Sequence, residues 1–505
     1  MKVRDVAALA ALGMMLTSYS VWSLTEPRGA KPEPTVDVGA TNGDPIVDPR
    51  KPVLVDRSQF TAGGTLMMEG RLGHAKLQAG RDNETFLFVN TRADATLTSG
   101  TGSPLNLAIV IDRSGSMKGK RLDNALDGAR GMVLRLRDGD AVSVIAYDTQ
   151  SQVIVAPTTI DGGSRDRVAS SITGIAARGD TCISCGLDTA VDLLGQRSGM
   201  VNRVLLLSDG EATAGVRDIE GFRNLAARVR RLGASISAIG VDVDYNERIM
   251  SALAVESNGR HAFVATSAGL SQMFDDELQS LVKTVAKDAE IVVDLAPGIE
   301  VDRVFDRTFT REGNKLRVPM GTFSAGEQKS LLVKVRVPRG AEGERAIADF
   351  RMSYDDLAKS SRGDCNGSLV ALLATDPAQA SPLDALVSSR LARADTAATL
   401  REANDLFASG RDDEARRRLG SKLAELKATR ARAENEAPSP FKAGVKDDFD
   451  RQAAALGSAS SGFSADAPVA ASPGQPAPPA PRPAETRKGK EQVRRNAESA
   501  TDFAF

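Results

Sequence analysis

Between residues 105 and 286 five short apolar runs recur: LNLAIVI from Leu105, AVSVIAY from Ala141, RVLLLS from Arg203, ASISAIGV from Ala234 and HAFVA from His261. Runs this continuous belong to strands covered on both faces, as in parallel sheets. The intervening segments carry helical spacing. Leu122, Ala125, Leu126, Ala129, Met132, Val133 and Leu136 form one stripe, and Ile219, Phe222, Ala226, Val229 and Leu232 another. Repeated strand and helix units predict an α/β domain over 103–286, built on a doubly wound, mostly parallel, Rossmann-like sheet. Ligands of such sheets bind at the carboxyl ends of the strands.

The flanks change period. ETFLFVNT precedes the block and reads as a strand. After it Ile291, Val293 and Leu295 alternate, then Val333, Val335 and Val337 against Lys334 and Arg336, then Ala348, Phe350, Met352 and Tyr354 against Asp349, Arg351 and Ser353. Alternation means one wet face. Neither flank alone has enough strands to close a core, so 51–102 and 287–375 are expected to share one β-sandwich into which the α/β domain is inserted. Helical stripes return over 376–445: Leu383, Leu386, Val387 and Leu391; Leu400, Ala403, Leu406 and Phe407; Ala415, Leu419, Leu423 and Leu426. Gly410 is placed to end a helix. Residues 446–505 are rich in Ala, Pro and Ser and read as a disordered tail.

The first residues bear on location. Residues 1–24 open with Lys2 and Arg4 and stay uncharged from Val6 to Leu24. This is an export signal, with Val21 and Ser23 as the small residues before cleavage, or a single membrane anchor through residues 6–24. Residues 25–50 form a Pro, Gly and acid-rich linker. The rest is expected to be exported: in the periplasm, anchored to the membrane or at the cell surface. With 65 Lys and Arg against 66 Asp and Glu, and only 1 Trp, 4 Tyr and 16 Phe, a nucleic-acid partner is not expected.

The first core strand closes in IDRSGSMKGK. Asp112, Ser114 and Ser116 are hard oxygen donors, and Gly115 lets the backbone turn tightly enough for them to converge. The plainer reading is a strand-to-helix turn with Ser and Asp capping the next helix. A cation site would need further oxygens from other strand ends. Thr181 stands in ARGDTCISCGL and Asp209 directly follows RVLLLS.

Together these residues resemble the von Willebrand factor type A (VWA) family. There D-x-S-x-S after the first strand, a Thr in a later loop and an Asp after the fourth strand form a metal-ion-dependent adhesion site. The resemblance covers residues 103–285 and extends loosely to bacterial exported proteins of the family and to the A-domain of inter-alpha-trypsin inhibitor heavy chains. Asp180 and Cys182 flank Thr181 where the family has Gly-Gly-Thr. By this resemblance Asp112, Ser114, Ser116, Thr181 and Asp209 hold Mg²⁺, with Mn²⁺ or Ca²⁺ also accommodated. Two carboxylates and three hydroxyls leave roughly zero net charge and an incomplete shell, which an acidic residue of a partner protein would fill. The implied function is an exported, metal-dependent protein-binding module for adhesion or envelope assembly, not an enzyme. The alternative is a metal-assisted hydrolase at the same site.

Other motifs offer little. His74 and His261 lie in no catalytic pattern, and GSMKGK is one residue short of a phosphate loop, with Arg121 where a hydroxyl belongs. RGD occurs at Arg178–Asp180 and at Arg362–Asp364, and chance explains both. Cys182 and Cys185 form C-x-x-C, which an exported protein tends to oxidise. Helical rotation sets both opposite the buried stripe from Ile183 to Leu194. They are expected to form a disulfide that stiffens the loop presenting Thr181; the alternative pairs one of them with Cys365.

Overall fold

The structure is a computed structural model, and it describes residues 57–97, 103–197, 199–209, 212–242, 245–264, 267–437, 439–463 and 482–503. The signal or anchor over 1–24 and the linker over 25–50 lie outside the described residues.

The first flank gives β1 (Gln59–Gly63), β2 (Leu66–Leu72), β3 (Lys76–Gln78) and β4 (Asn83–Ala93). The α/β block follows as β5 (Leu105–Asp112), α1 (Lys120–Arg135), β6 (Ala141–Tyr147), β7 (Ser151–Thr159), α2 (Ser164–Ile172), α3 (Ile183–Leu194), β8 (Val201–Ser208), α4 (Ile219–Arg231), β9 (Ala234–Val241), α5 (Glu247–Glu256), β10 (His261–Val264) and α6 (Ser267–Val282). The second flank is β11 (Thr284–Leu295), β12 (Glu300–Phe305), β13 (Thr310–Glu312), β14 (Lys315–Ser324), β15 (Gln328–Val337), β16 (Gly343–Asp356) and β17 (Ser361–Ala374). Helices α7 (Ala385–Ala408), α8 (Asp412–Glu436), α9 (Ser439–Gly462) and α10 (Arg487–Asp502) complete the described chain.

The central sheet runs β10-β9-β8-β5-β6-β7, parallel except for the edge strand β7. β5, β6 and β9 are buried along their whole length. Leu126, Met132 and Val133 of α1 pack with Leu270 and Phe274 of α6 on one face, while Leu187, Phe222 and Val229 cover the other. Each such side chain contributes about 1.5–3 kcal/mol when fully buried, which is why the runs tolerate so few polar residues. From β5 the chain winds first to β6 and later returns to β8 on the other side. The carboxyl end between β5 and β8 is therefore a switch point where loops diverge and leave a crevice.

Two further sheets, β1-β2-β4-β15-β12 and β13-β14-β11-β16-β17-β3, each draw strands from both flanks. β4 pairs with β15 along Asn83 to Arg92. Leu87, Val89, Val333 and Val335 of one sheet meet Ile291, Val293, Phe350 and Met352 of the other in one core. The α/β domain is inserted in a sandwich that neither flank could close. The sandwich resumes at Thr284, slightly ahead of the expected boundary at 287.

The disordered tail expected over 446–505 is corrected for its described part. α9 crosses the expected boundary at 445, and its Val445, Phe449, Leu456 and Ala459 join the helical core, in which the Phe463 ring stacks on Phe407 at 3.9 Å. α10 docks through small residues, Ala497 and Ala500, with Val493 and a hydrogen bond from Asn496 Nδ2 to Asn404 Oδ1 at 2.8 Å. Low apolar content did not prevent packing because these side chains are small enough for close helix approach. The stripes from Leu386 to Phe407 likewise belong to one helix, α7, closed by Gly410 at φ 76°. Among the described residues no helix is long and apolar enough to cross a membrane.

Candidate metal centre

β5 delivers Asp112 to the crevice at the switch point, fully buried. Its Oδ1 accepts the Ser114 amide at 2.8 Å. Its Oδ2 accepts the Ser208 hydroxyl at 2.7 Å and the Tyr147 hydroxyl at 3.2 Å. These donors are the last residues of β8 and β6, the two strands beside β5. From this anchor the loop runs outward. Ser114 Oγ stands 3.0 Å from Ser116 Oγ, which donates to Asp209 Oδ1 at 2.9 Å. Ser114 and Asp209 are buried and Ser116 is exposed, so the row of oxygens opens to solvent at one end.

The donor set fits a hard divalent cation. Adjacent vertices of an octahedron with a radius of about 2.1 Å lie roughly 3.0 Å apart, the spacing of the Ser114, Ser116 and Asp209 oxygens. Two buried carboxylates also lie side by side. Burial pushes Asp112 up to about 6 against the hydrogen bonds from Ser114 and Ser208, with Asp209 adding to the rise. Burial raises Asp209 as well, opposed by Ser116 and Arg121. A cation would relieve both.

Thr181 reaches the same crevice by its backbone. Its amide donates to Thr213 Oγ1 at 2.9 Å, and its carbonyl accepts from the amides of Thr213 and Ala214. Two residues earlier the Gly179 carbonyl accepts the Gly115 amide at 3.0 Å, which pins the Thr181 loop to the Ser114 loop. Gly179 has φ 69°, and a Cβ there would lie 2.9 Å from Thr149 Oγ1. Among the described residues, the bonds joining Asp112, Ser114, Ser116 and Asp209 do not include the Thr181 hydroxyl.

Cys182 and Cys185 are joined by a disulfide, with Cα atoms 5.3 Å apart. Two expectations about the cysteines are corrected. Cys182 is buried, because it precedes α3 and is not bound by the helical rotation. Cys365 is free and buried in the sandwich core, so it pairs with neither. The disulfide also abuts the loop after β8: a Cβ on Gly215 would lie 2.5 Å from Cys182 Sγ.

Sequence reasoning missed four residues here. Tyr147 and Ser208 hold Asp112, and adjacency of their strands to β5 is the signal that could have found them. Arg121, weighed only as a misfit in a phosphate loop, places Nη1 2.9 Å from Asp209 Oδ2 and Nε 2.9 Å from Asp242 Oδ2. Asp242, directly after β9 with φ 66°, adds a third carboxylate to the two expected. The first RGD is part of the scaffold: Arg178 Nε pairs with Asp148 at 3.0 Å and the Asp180 amide donates to Thr149. The second lies within β17. His74 is half-buried beside Thr85, and His261 is buried against the Tyr245 hydroxyl at 3.1 Å. Burial, with Arg494 nearby, pushes His261 down to about 3.

A doubly wound sheet with a D-x-S-x-S loop at its switch point defines a class, and comparison with known proteins agrees with it. Residues 106–276 match the von Willebrand factor type A domain model, so the chain carries that domain. Such domains are generally protein-interaction or adhesion modules, often metal-dependent. The chain is 24% identical over 266 residues to an uncharacterised protein of Synechocystis sp., covering 50% of this chain and 62% of that one. It is 28% identical over 271 residues to the uncharacterised protein YfbK of Escherichia coli, covering 51% and 46%. It is 26% identical over 186 residues to human inter-alpha-trypsin inhibitor heavy chain H4, covering 35% and 20%. The chain thus spans less than two thirds of the length of each of these relatives. A solved von Willebrand factor type A structure from Catenulispora acidiphila superposes with a TM-score of 0.63 at 17% identity, covering 74% of this chain and 90% of the other. The ArnB paralog VWA2 from Sulfolobus acidocaldarius gives 0.54 at 18% identity, covering 78% and 98%. These two share the fold.

Proposed function

We propose that this chain is an exported, metal-dependent protein-binding module, serving adhesion or envelope assembly, that holds a divalent cation through Ser114, Ser116, Thr181 and Asp209 with Asp112 supporting from behind. The observation that carries the reading is the row of three oxygens at 2.9–3.0 Å opening to solvent at the switch point. Mg²⁺ suits that spacing, and Mn²⁺ is the near substitute. Ca²⁺, at about 2.3–2.6 Å from its ligands, needs the loop to spread. When bound, the cation supplies a positive vertex with exchangeable positions. Asp112, Asp209 and Arg121 together carry one negative charge when ionised, and Asp242 is offset by Arg487, so the loaded site is positive by one unit. A carboxylate from a partner protein restores neutrality and completes the shell. Export rests on residues 1–24, as a cleaved signal or as an anchor through residues 6–24.

Titration calorimetry of the full chain with MgCl₂ tests the site. Binding is expected in the wild type and loss of it in Ser116→Ala and Asp209→Ala; equal Mg²⁺ affinity in all three overturns the assignment. Affinity capture from the native envelope in Mg²⁺ and in EDTA then tests the partner, which should be retained only with the metal.

A further inference from the structure

The candidate cation site does not end at Asp209. Asp209 Oδ2 accepts from Arg121 Nη1 at 2.9 Å, Arg121 Nε donates to Asp242 Oδ2 at 2.9 Å, and Asp242 Oδ1 lies 3.1 Å from Arg487 Nη1. Arg487 is the first residue of α10, more than 240 residues further along the chain than Asp242. α10 lies against the α/β domain, where Arg494 pairs with Glu247 of α5, Thr501 Oγ1 stands 2.8 Å from Ser251 Oγ and Glu498 accepts the Phe263 amide. On its other side it holds α7 through Asn404, whose Nδ2 donates to the Val493 carbonyl at 2.9 Å. The same short helix therefore touches the helical bundle, the edge of the central sheet and an ion-pair chain ending on a site carboxylate.

We propose that Arg121 is a positioning residue for the cation site, an internal cation that shares Asp209 with the metal, and that Arg487 of α10 sets how strongly it does so. This rests on the reading of the site as a divalent-cation centre. Asp242 presents Oδ2 to Arg121 and Oδ1 to Arg487. While Arg487 engages Asp242, Arg121 is left to share its charge with Asp209, where it opposes an incoming dication. When α10 moves away, Asp242 draws Arg121 off Asp209 and the site binds its cation more tightly. By linkage, loading the site loosens the first turn of α10. The helical unit thereby regulates the crest of the α/β domain, and whatever displaces α10 activates it.

The test is the Mg²⁺ dissociation constant of the full chain by calorimetry, with hydrogen exchange of residues 487–495 as a second readout. Arg487→Ala, a change at a side chain 60% exposed, is expected to tighten Mg²⁺ roughly two- to fivefold, as befits a screened pair. Asp242→Asn is expected to weaken it. In an Arg121→Gln background, which itself binds more tightly, adding Arg487→Ala is expected to change nothing. Mg²⁺ is also expected to speed exchange in the first turn of α10 in the wild type. Unchanged affinity in both Arg487→Ala and Arg121→Gln, alongside clear Mg²⁺ binding by the wild type, overturns the coupling and leaves the site standing. An equal gain from Arg487→Ala with and without Arg121 also overturns it, since that is a bare charge effect. No Mg²⁺ binding by the wild type removes the functional reading itself, and the proposal with it.

Discussion

Asp112→Asn and Asp112→Ala separate two opposing effects that meet on one buried carboxylate. Burial raises its pKa from 3.8 to about 6. At pH 7.5 without metal the ionised form therefore destabilises the fold by roughly 3 kcal/mol, at about 1.4 kcal/mol per unit. An acid whose pKa rises on folding binds its proton more tightly when folded, so metal-free stability increases as pH falls from about 6 towards about 4. Asn removes the charge yet keeps the network: its oxygen accepts the Ser114 amide, and its amide nitrogen turns to the Tyr147 and Ser208 hydroxyls, which also accept. Ala leaves three buried donors without an acceptor, at about 1 kcal/mol each. Scanning calorimetry in EDTA at pH 7.5 should show Asp112→Asn melting at or above wild type. Asp112→Ala should be roughly 3 kcal/mol less stable than the Asn variant, a gap of roughly 6–12 °C for a domain of this size. Saturating Mg²⁺ should lift only the wild type strongly. An Asn variant melting well below wild type in EDTA would show that the charge stabilises the site, and the reasoning would fail.

Three further outcomes are expected. Gly179→Ala forces an L side chain to φ 69° against Thr149, at roughly 1–2 kcal/mol, and should weaken Mg²⁺ binding by calorimetry while the far-UV spectrum is kept; undiminished affinity would show that the Gly115–Gly179 bond does not position Thr181. Reduction of the Cys182–Cys185 disulfide should likewise weaken Mg²⁺ without unfolding the sheet, because only the loop before α3 is constrained by so short a ring, and identical affinity with and without reductant speaks against that role. Burial, with Asp502 beside it, pushes Glu498 of α10 up to about 7, so α10 should hold best near pH 5 and loosen as pH rises towards 7; limited proteolysis at pH 5.5 and 8 checks this, and Glu498→Gln should flatten the difference.

The sequence made the α/β block readable because β5, β6 and β9 are buried on both faces, and burial on both faces leaves no choice but unbroken apolar runs. The sandwich could be inferred from what each flank lacked, since half-buried strands must find partners. The tail was misread because composition was weighed above period. Val445, Phe449, Leu456, Ala459 and Phe463 keep helical spacing through an Ala and Ser-rich stretch, and Val493, Ala497 and Ala500 of α10 keep it too, but with side chains so small among charged neighbours that composition hides the period. At the site, the ligand-type residues were visible as oxygens after strands. The residues that tune them were not. Arg121 stands in the first turn of α1, Asp242 follows β9 and Arg487 opens α10, three places far apart in the chain that only the tertiary fold brings together, so no local pattern could have joined them.

The same geometry bears on whether the site binds or cleaves. A metal-assisted hydrolase needs a base that faces the attacking water, and the pKa of Asp112, near 6, would suit one. Yet both oxygens of Asp112 already accept protein donors, and the carboxyl is fully buried behind Ser114. Asp209 is held by Ser116 on one oxygen and by Arg121 on the other. His74 and His261, the chain's two histidines, are committed to Thr85 and Tyr245 elsewhere in the fold. Among the described oxygens of the row Ser116 is the exposed one, and a dication there would leave a charge that favours an anion that stays. A carboxylate bound at the crest would answer that demand without a proton to move, which is why the binding module is the reading we propose.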